Sequence, residues 1–153
     1  NNKGYISIVE EIENDGSIYK DKNVEVIAFK NDHGDFENSF GFLFITKDKR
    51  ILFSGDTGVS DNLMNYGENL DILVHEVYSS ETFKNKTDDW QIYHNAHHTS
   101  SIDLGIIANK LKPKKLVLSH ILFWGATEES LLDDVKSNFD GNAIIAKDLM
   151  VIR

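Results

Sequence analysis

Short apolar runs separated by polar punctuation give this chain its outline, and the period of the apolar positions changes along its length. Asn23 to Phe29 alternates apolar and polar residues, the pattern of a half-buried strand. Tyr5 to Ile12 alternates more loosely and is expected to form a first strand, with a turn near Asn14-Asp15-Gly16. Ser39 to Thr46 and Ile51 to Phe53 are apolar runs joined by Lys47-Asp48-Lys49-Arg50, which predicts a hairpin. Val59 to Leu70 accommodates a short helix around Asp61 to Tyr66. Asp71 to Val74 reads as another buried strand, and the polar stretch Ser79 to Gln91 as a surface loop.

The second half alternates helix and strand. Ser100 or Ser101 can cap a helix running to about Leu111, with Asp103 in its first turn and Ile102, Ile106 and Ile107 as its apolar face. Pro113 marks its stop. Leu116 to Leu118 is a strand closed by Ser119-His120. Thr127, Glu128 and Glu129 open a helix whose Leu131, Leu132, Val135 and Phe139 face the core. After Asp140-Gly141, Ala143 to Ala146 and Leu149 to Ile152 are expected to pair as a final hairpin. Strands, helices, hairpins and crossovers in this order predict an α/β (α+β) domain with a mixed β-sheet and flanking helices.

Composition narrows the chemistry. The 153 residues suffice for a single domain, 1–153, with one sizeable core. A hydrophobic content of 41% with 27% charged residues is that of a globular protein, and no apolar run approaches a membrane span or a secretory signal. The expected compartment is the cytoplasm, with no membrane partner. No cysteine is present, so disulfides are excluded and any metal must be held by His, Asp or Glu. A net charge of −9 argues against a surface built to grip many phosphates, while leaving room for a small phosphate ester at a metal site.

Candidate chemistry gathers at predicted strand ends. Ile51-Leu52-Phe53 breaks into Ser54-Gly55-Asp56-Thr57-Gly58, where two glycines let the chain turn tightly around a carboxylate. Another strand runs into His75-Glu76 and a third into His120, while Tyr93 to Ser100 holds His94, His97 and His98. Ligands in open α/β sheets bind beyond the carboxyl ends of the strands. An aspartate with several imidazoles is the ligand set that zinc or a similar first-row metal takes.

From about Val24 to Arg153 these residues resemble the C-terminal half of the metallo-β-lactamase fold, nearest its ribonuclease Z-like hydrolases. The matches are His33-Gly34 followed by Ser39-Phe40-Gly41-Phe42, then Phe53-Ser54-Gly55-Asp56-Thr57, Asp71 to Glu76, His98-Thr99-Ser100 and Leu118-Ser119-His120. The resemblance implies half of an αββα sandwich and a hydrolase of phosphodiester or ester-type bonds that uses a metal-activated water. It implies a two-metal centre, zinc or alternatively manganese or iron. His33 then corresponds to a ligand of one metal, Asp56 to the bridging carboxylate and His120 to a ligand of the second. His98 corresponds to a catalytic histidine that contacts the scissile group without ligating, and Glu76 to the carboxylate that orients it. The resemblance gives His75 a structural reading and assigns nothing to His94 or His97.

Two departures shape the expectation. The family's His-x-His-x-Asp-His segment is absent, and the sequence opens on Asn1-Asn2. This chain is therefore expected to be the C-terminal part of a longer hydrolase, holding an incomplete centre and inactive alone. Its expected partners are an N-terminal half of the same fold or a second copy, and a small-molecule substrate. Only 22 residues, 34 to 55, separate His33 from Asp56, where transfer-RNA processing enzymes commonly carry an insertion. With the acidic balance, this weighs against transfer RNA. Two further readings stay open: a non-catalytic partner-binding module that keeps the fold, and an unrelated α/β domain whose Asp56 turn is only a turn.

Overall fold

The computed structural model describes residues 9–152. Seven strands form one mixed sheet, ordered in space as in sequence. The first four are β1 (Gly16–Lys20), β2 (Val24–Lys30), β3 (Phe40–Thr46) and β4 (Arg50–Phe53), an antiparallel meander. Helix α1 (Asp61–Tyr66) then leads to β5 (Ile72–Tyr78), which pairs parallel with β4. Three helices, α2 (Ser80–Phe83), α3 (Asp88–His97) and α4 (Ser101–Leu111), precede β6 (Lys115–Leu122). Helix α5 (Glu128–Lys136) returns the chain to β7 (Ala143–Ile145), parallel to β6. Parallel neighbours reached by successive crossovers keep the helices on one face.

The register makes the two faces of the sheet different. Leu43, Leu52, Leu73, Leu116 and Ala143 lie side by side across five strands, and none is more than 8% exposed. They meet Leu63 of α1, Leu104 and Ile107 of α4, and Leu131 and Val135 of α5 in one core. Each fully buried leucine there contributes about 1.5–3 kcal/mol. One residue along each strand, the opposite row is Phe42, Phe53, Val74, Val117 and Ile144. This row is apolar too, yet Phe53 is 41% exposed and its ring meets Phe44 edge-on at 5.5 Å.

Four expectations need correction. The proposed first strand falls largely on residues 1–8, outside the described residues, and residues 9–12 are not in a strand. Ser79 to Gln91 is no simple loop: Ser79 caps α2, and α3 begins at Asp88 behind an extended Thr87. The buried face of α4 is Leu104, Gly105, Ile107 and Ala108, whereas Ile102 and Ile106 are 43% and 39% exposed. Gly105 sets this rotation, because a Cβ there would lie 2.4 Å from the Val135 carbonyl oxygen of α5. The final hairpin does not form, since β7 pairs parallel with β6 and residues 149–152 lie outside any strand.

The end of the sheet remote from the site is fastened by Asp71. Its carboxylate accepts from Lys114 Nζ and from the Arg50 backbone N–H, both at 2.8 Å. The bond from Lys114, then that from Arg50, holds the Asp71 carboxyl below the usual carboxylate range. A lowered pKa means that the ionised form stabilises the fold at neutral pH, and that this support disappears as pH falls through the folded pKa. Asp71→Asn should therefore lower the melting temperature at pH 7, with the gap from the parent closing below about pH 4. Thermal melts across pH check this; a gap that persists undiminished at low pH contradicts it. Among the described residues no helix is long and apolar enough to cross a membrane.

Candidate metal centre

The Asp56 turn is built by the two residues before it, Ser54 and Gly55. Gly55 adopts φ +64°, and a Cβ there would sit 2.5 Å from the Phe40 carbonyl oxygen. Buried Ser54 ties the turn to β5 by accepting from the Glu76 N–H at 3.2 Å, and its carbonyl accepts from Asn31 Nδ2. The Asp56 carbonyl accepts from Ser39 Oγ at 3.2 Å, which leaves the carboxylate pointing out half-exposed.

His120 reaches Asp56 because β6 bulges. Ser119 pairs with Glu76 and Ile121 with Val77, so His120 is the extra residue between them, at φ +43°. Strand β6 thus continues through His120 to Leu122 rather than closing at it. A non-glycine residue in this backbone region is uncommon and costs energy that the surrounding structure must supply. Its Nε2 lies 3.2 Å from Asp56 Oδ2.

His98 caps the C-terminus of α3 and enters the same space. Ligand atoms of Asp56, His98 and His120 all lie within 4.8 Å of one another. His98 Nδ1 stands 3.4 Å from Glu76 Oε2, in a contact that is nearly buried on the glutamate side. Burial of His98 opposes its charge, but the Glu76 carboxylate 3.4 Å away, and Asp56 more weakly, outweigh it and raise the pKa above its ordinary value. Glu76 itself is fixed: Oε1 accepts from the backbone N–H of Thr99 at 2.8 Å and of Thr57 at 3.3 Å. This carboxylate therefore ties the Asp56 turn to the His98 segment. Both His75 and Glu76 lie inside β5 rather than at its end.

His33 stands beside this group but outside the three-residue cluster. Its ring centre is 5.3 Å from that of His98, and its Nδ1 donates to the His97 carbonyl at 2.6 Å. In the neutral ring that bond leaves Nε2 bare, the state a metal ligand needs. The approach is close: Gly34, at φ +58°, would place a Cβ 2.1 Å from the His97 ring. His97 is buried, donates from Nδ1 to the Tyr93 carbonyl at 2.6 Å, and faces Asp35 at 3.2 Å. His97 thus positions the His33 loop. No sequence signal assigned that part, although His94 and His97 bonding back to Trp90 and Tyr93 four residues earlier is the mark of one helix. His75 is fully buried, donates from Nδ1 to the Glu76 carbonyl, and burial depresses its pKa.

The donor set suits a divalent ion. One carboxylate and two imidazoles, with no thiolate in the chain, is chemistry that zinc, iron or manganese accepts. Glu76 on Nδ1 of His98 matches the carboxylate–imidazole pairing that orients histidines at such centres.

Comparison with known proteins places this geometry in a family context. No family model matches the sequence. Ribonuclease Z of Bacillus velezensis is 34% identical over 142 residues, covering 90% of this chain and 43% of that protein. Ribonuclease Z of Archaeoglobus fulgidus is 30% identical over 103 residues, 67% of this chain and 31% of that protein. The chain thus spans less than half the length of these relatives. Among solved structures, the metallo-β-lactamase fold protein YhfI from Bacillus subtilis superposes with a TM-score of 0.71 at 20% identity, covering 89% of this chain and 52% of that one. The short form of human tRNase Z gives a TM-score of 0.64 at 22% identity, covering 92% and 47%. Fold, sequence similarity and the clustered donors agree: this chain is a ribonuclease Z-like protein of the metallo-β-lactamase fold.

Proposed function

We propose that this chain supplies part of the active site of a metal-dependent hydrolase that cleaves phosphodiester or ester-type bonds. The observation that supports the reading is the convergence of Asp56, His98 and His120 at one edge of a ribonuclease Z-like sheet. A metal bound there supplies an acidified water and a Lewis acid for the oxygen of the scissile group. Asp56 is suited to bridge two ions, His120 to hold one of them, and His33 to hold the other through its bare Nε2. His98, oriented by Glu76, protonates the departing oxygen.

Three ligands divided between two ions are too few, since catalytic zinc usually takes three protein ligands plus water. We assign the remainder to a His-x-His-x-Asp-His segment in the portion of the fold that this chain does not span. The same portion would cover the apolar row that runs from Phe42 to Ile144. Alone at high micromolar concentration, the chain should dimerise through that face, where Phe53 is 41% exposed, because exposed apolar surface drives association. Light scattering that returns a monomer with no bound partner contradicts this.

The spacing and charge that weigh against transfer RNA find no support among the relatives, which are named for ribonuclease Z activity, and one structural neighbour is a tRNase Z. Phosphodiesters are accordingly the bonds to test first. In the protein completed with the missing ligands, His98→Ala should keep its metal and lose about two to four decades of turnover on a phosphodiester, the loss typical of a missing general acid. Metal content and rate measured on the same sample decide it; loss of the metal would make His98 a ligand instead.

A further inference from the structure

We infer that His94 and Trp90 are positioning residues, a column of stacked rings on α3 that fixes the plane of the His98 imidazole for proton transfer. This rests on the hydrolase reading, in which His98 protonates the departing oxygen. Residues 90, 94 and 98 follow one another at four-residue spacing, which brings side chains above one another on one helix face. The rings stack in that order, Trp90 on His94 at 4.4 Å and 13°, then His94 on His98 at 5.7 Å and 27°.

His98 needs such a restraint. Its Nδ1 faces Glu76 Oε2 at 3.4 Å, and among the described residues neither atom has a hydrogen-bond partner. Attraction across that distance draws the ring toward the carboxylate without setting its plane, and the terminal torsion of a histidine is intrinsically broad. Two other imidazoles stand beside it, His33 at 5.3 Å and His120 at 5.9 Å, but they meet it at 74° and 48°. Among the described residues, His94 alone lays a near-parallel face against His98.

His94 can serve because it is itself held from several sides. It is buried, its Nδ1 donates to the Trp90 carbonyl at 3.0 Å, and Trp124 meets it edge-on at 4.9 Å. Trp124 packs in turn against Tyr78 at 5.6 Å and Phe83 at 6.3 Å, with the Lys86 ammonium 5.0 Å from its ring centre. Its backbone stands at φ +46°, an outlier for a bulky residue that persists only where the surroundings over-determine it. Neither indole belongs to the hydrophobic core. What they brace instead is His94, and through it His98. Burial also lowers the His94 pKa below its ordinary value, so at pH 7 a neutral ring faces His98 and does not repel its proton.

The test reads the ring directly and needs no turnover. NMR relaxation at imidazole Cε1–H gives an order parameter for each histidine, the His98 signal being the one lost in His98→Gln. We expect His98 near the rigid limit of about 0.85 in the parent and below about 0.6 in His94→Ala, with circular dichroism unchanged. His94→Phe, which restores a flat face, should return it to the parental value. Trp90 is 48% exposed, so Trp90→Ala keeps the fold and should loosen His98 by a smaller amount, from two rings away. In the protein completed with the missing ligands, His94→Ala should lower kcat on a phosphodiester about 10- to 100-fold with KM little changed, and His94→Phe should recover most of it. A His98 ring as rigid in His94→Ala as in the parent makes the column packing alone and overturns the inference, even where the melting temperature falls. Where His94→Ala does not fold, an unchanged order parameter in Trp90→Ala overturns it. The two readings fail separately. Full turnover in His98→Ala removes His98 as the donor and leaves the column, while an unloosened ring with turnover lost in His98→Ala removes the column and leaves the donor.

Discussion

Asp56→Ala is expected to abolish the tight divalent-metal binding of the protein completed with the missing ligands, while leaving its fold intact. The carboxylate is the sole anionic donor in the Asp56–His98–His120 cluster and is half-exposed, with its Oδ2 3.2 Å from His120 Nε2. The bonds that build the turn run instead through its backbone, Gly55 and Ser54, which the substitution leaves in place. Without the carboxylate, His33 and His120 alone contribute too few donors for two ions, since zinc seeks three or four each. Calorimetric zinc titration of parent and variant checks the loss, and circular dichroism checks the fold. Metal retained by Asp56→Ala at parental affinity would remove Asp56 from the centre.

Glu76→Ala should carry the largest stability cost of any single change at the site. Glu76 is 2% exposed, and Oε1 accepts from two buried backbone N–H groups, those of Thr57 and Thr99. Truncation strands both donors, and each buried unsatisfied group costs about 1–3 kcal/mol, so a loss of about 2–6 kcal/mol is expected. Glu76→Gln keeps one acceptor oxygen and should lose less. Urea unfolding of the three proteins tests the order. A loss in Glu76→Ala below about 0.5 kcal/mol, the level of an ordinary surface substitution, would mean that the carboxylate does not join the two segments.

Much of this architecture was legible because periodicity reports burial. Strands β2, β3, β4 and β5 and helices α1 and α5 are each set by an apolar pattern that the core uses directly, as with Leu131 and Val135. Helix α3 was missed because its apolar residues Trp90, Ile92 and Tyr93 are exposed and its buried face is made of His94 and His97, so no apolar stripe marks it. Thr87 followed by Asp88 and Asp89 was the available signal, an N-cap residue with acidic groups in the first turn. Strand β1 was missed for a similar reason, since Ile18 and Tyr19 on this edge strand remain 40% and 54% exposed. The direction of β7 depended on the α5 crossover, a tertiary feature with no local pattern.

The site was legible as residue types and their order. Asp56, His98 and His120 lie far apart in sequence, and the resemblance brought them to one place together with Glu76. The detail that brings them into contact was not legible: the bulge at His120 depends on the register between β5 and β6. The placement of His33 likewise depends on Gly34 lying against His97, a contact across 63 residues of sequence (34 to 97).

The measurement that tests the account most directly is a zinc titration of this chain alone and again in the presence of the His-x-His-x-Asp-His portion of a ribonuclease Z-like protein. The account predicts weak binding by the chain alone and tight binding of two ions by the reconstituted pair, lost in Asp56→Ala. Tight two-ion binding by the chain alone, or no gain on adding the other portion, would contradict a shared metal centre.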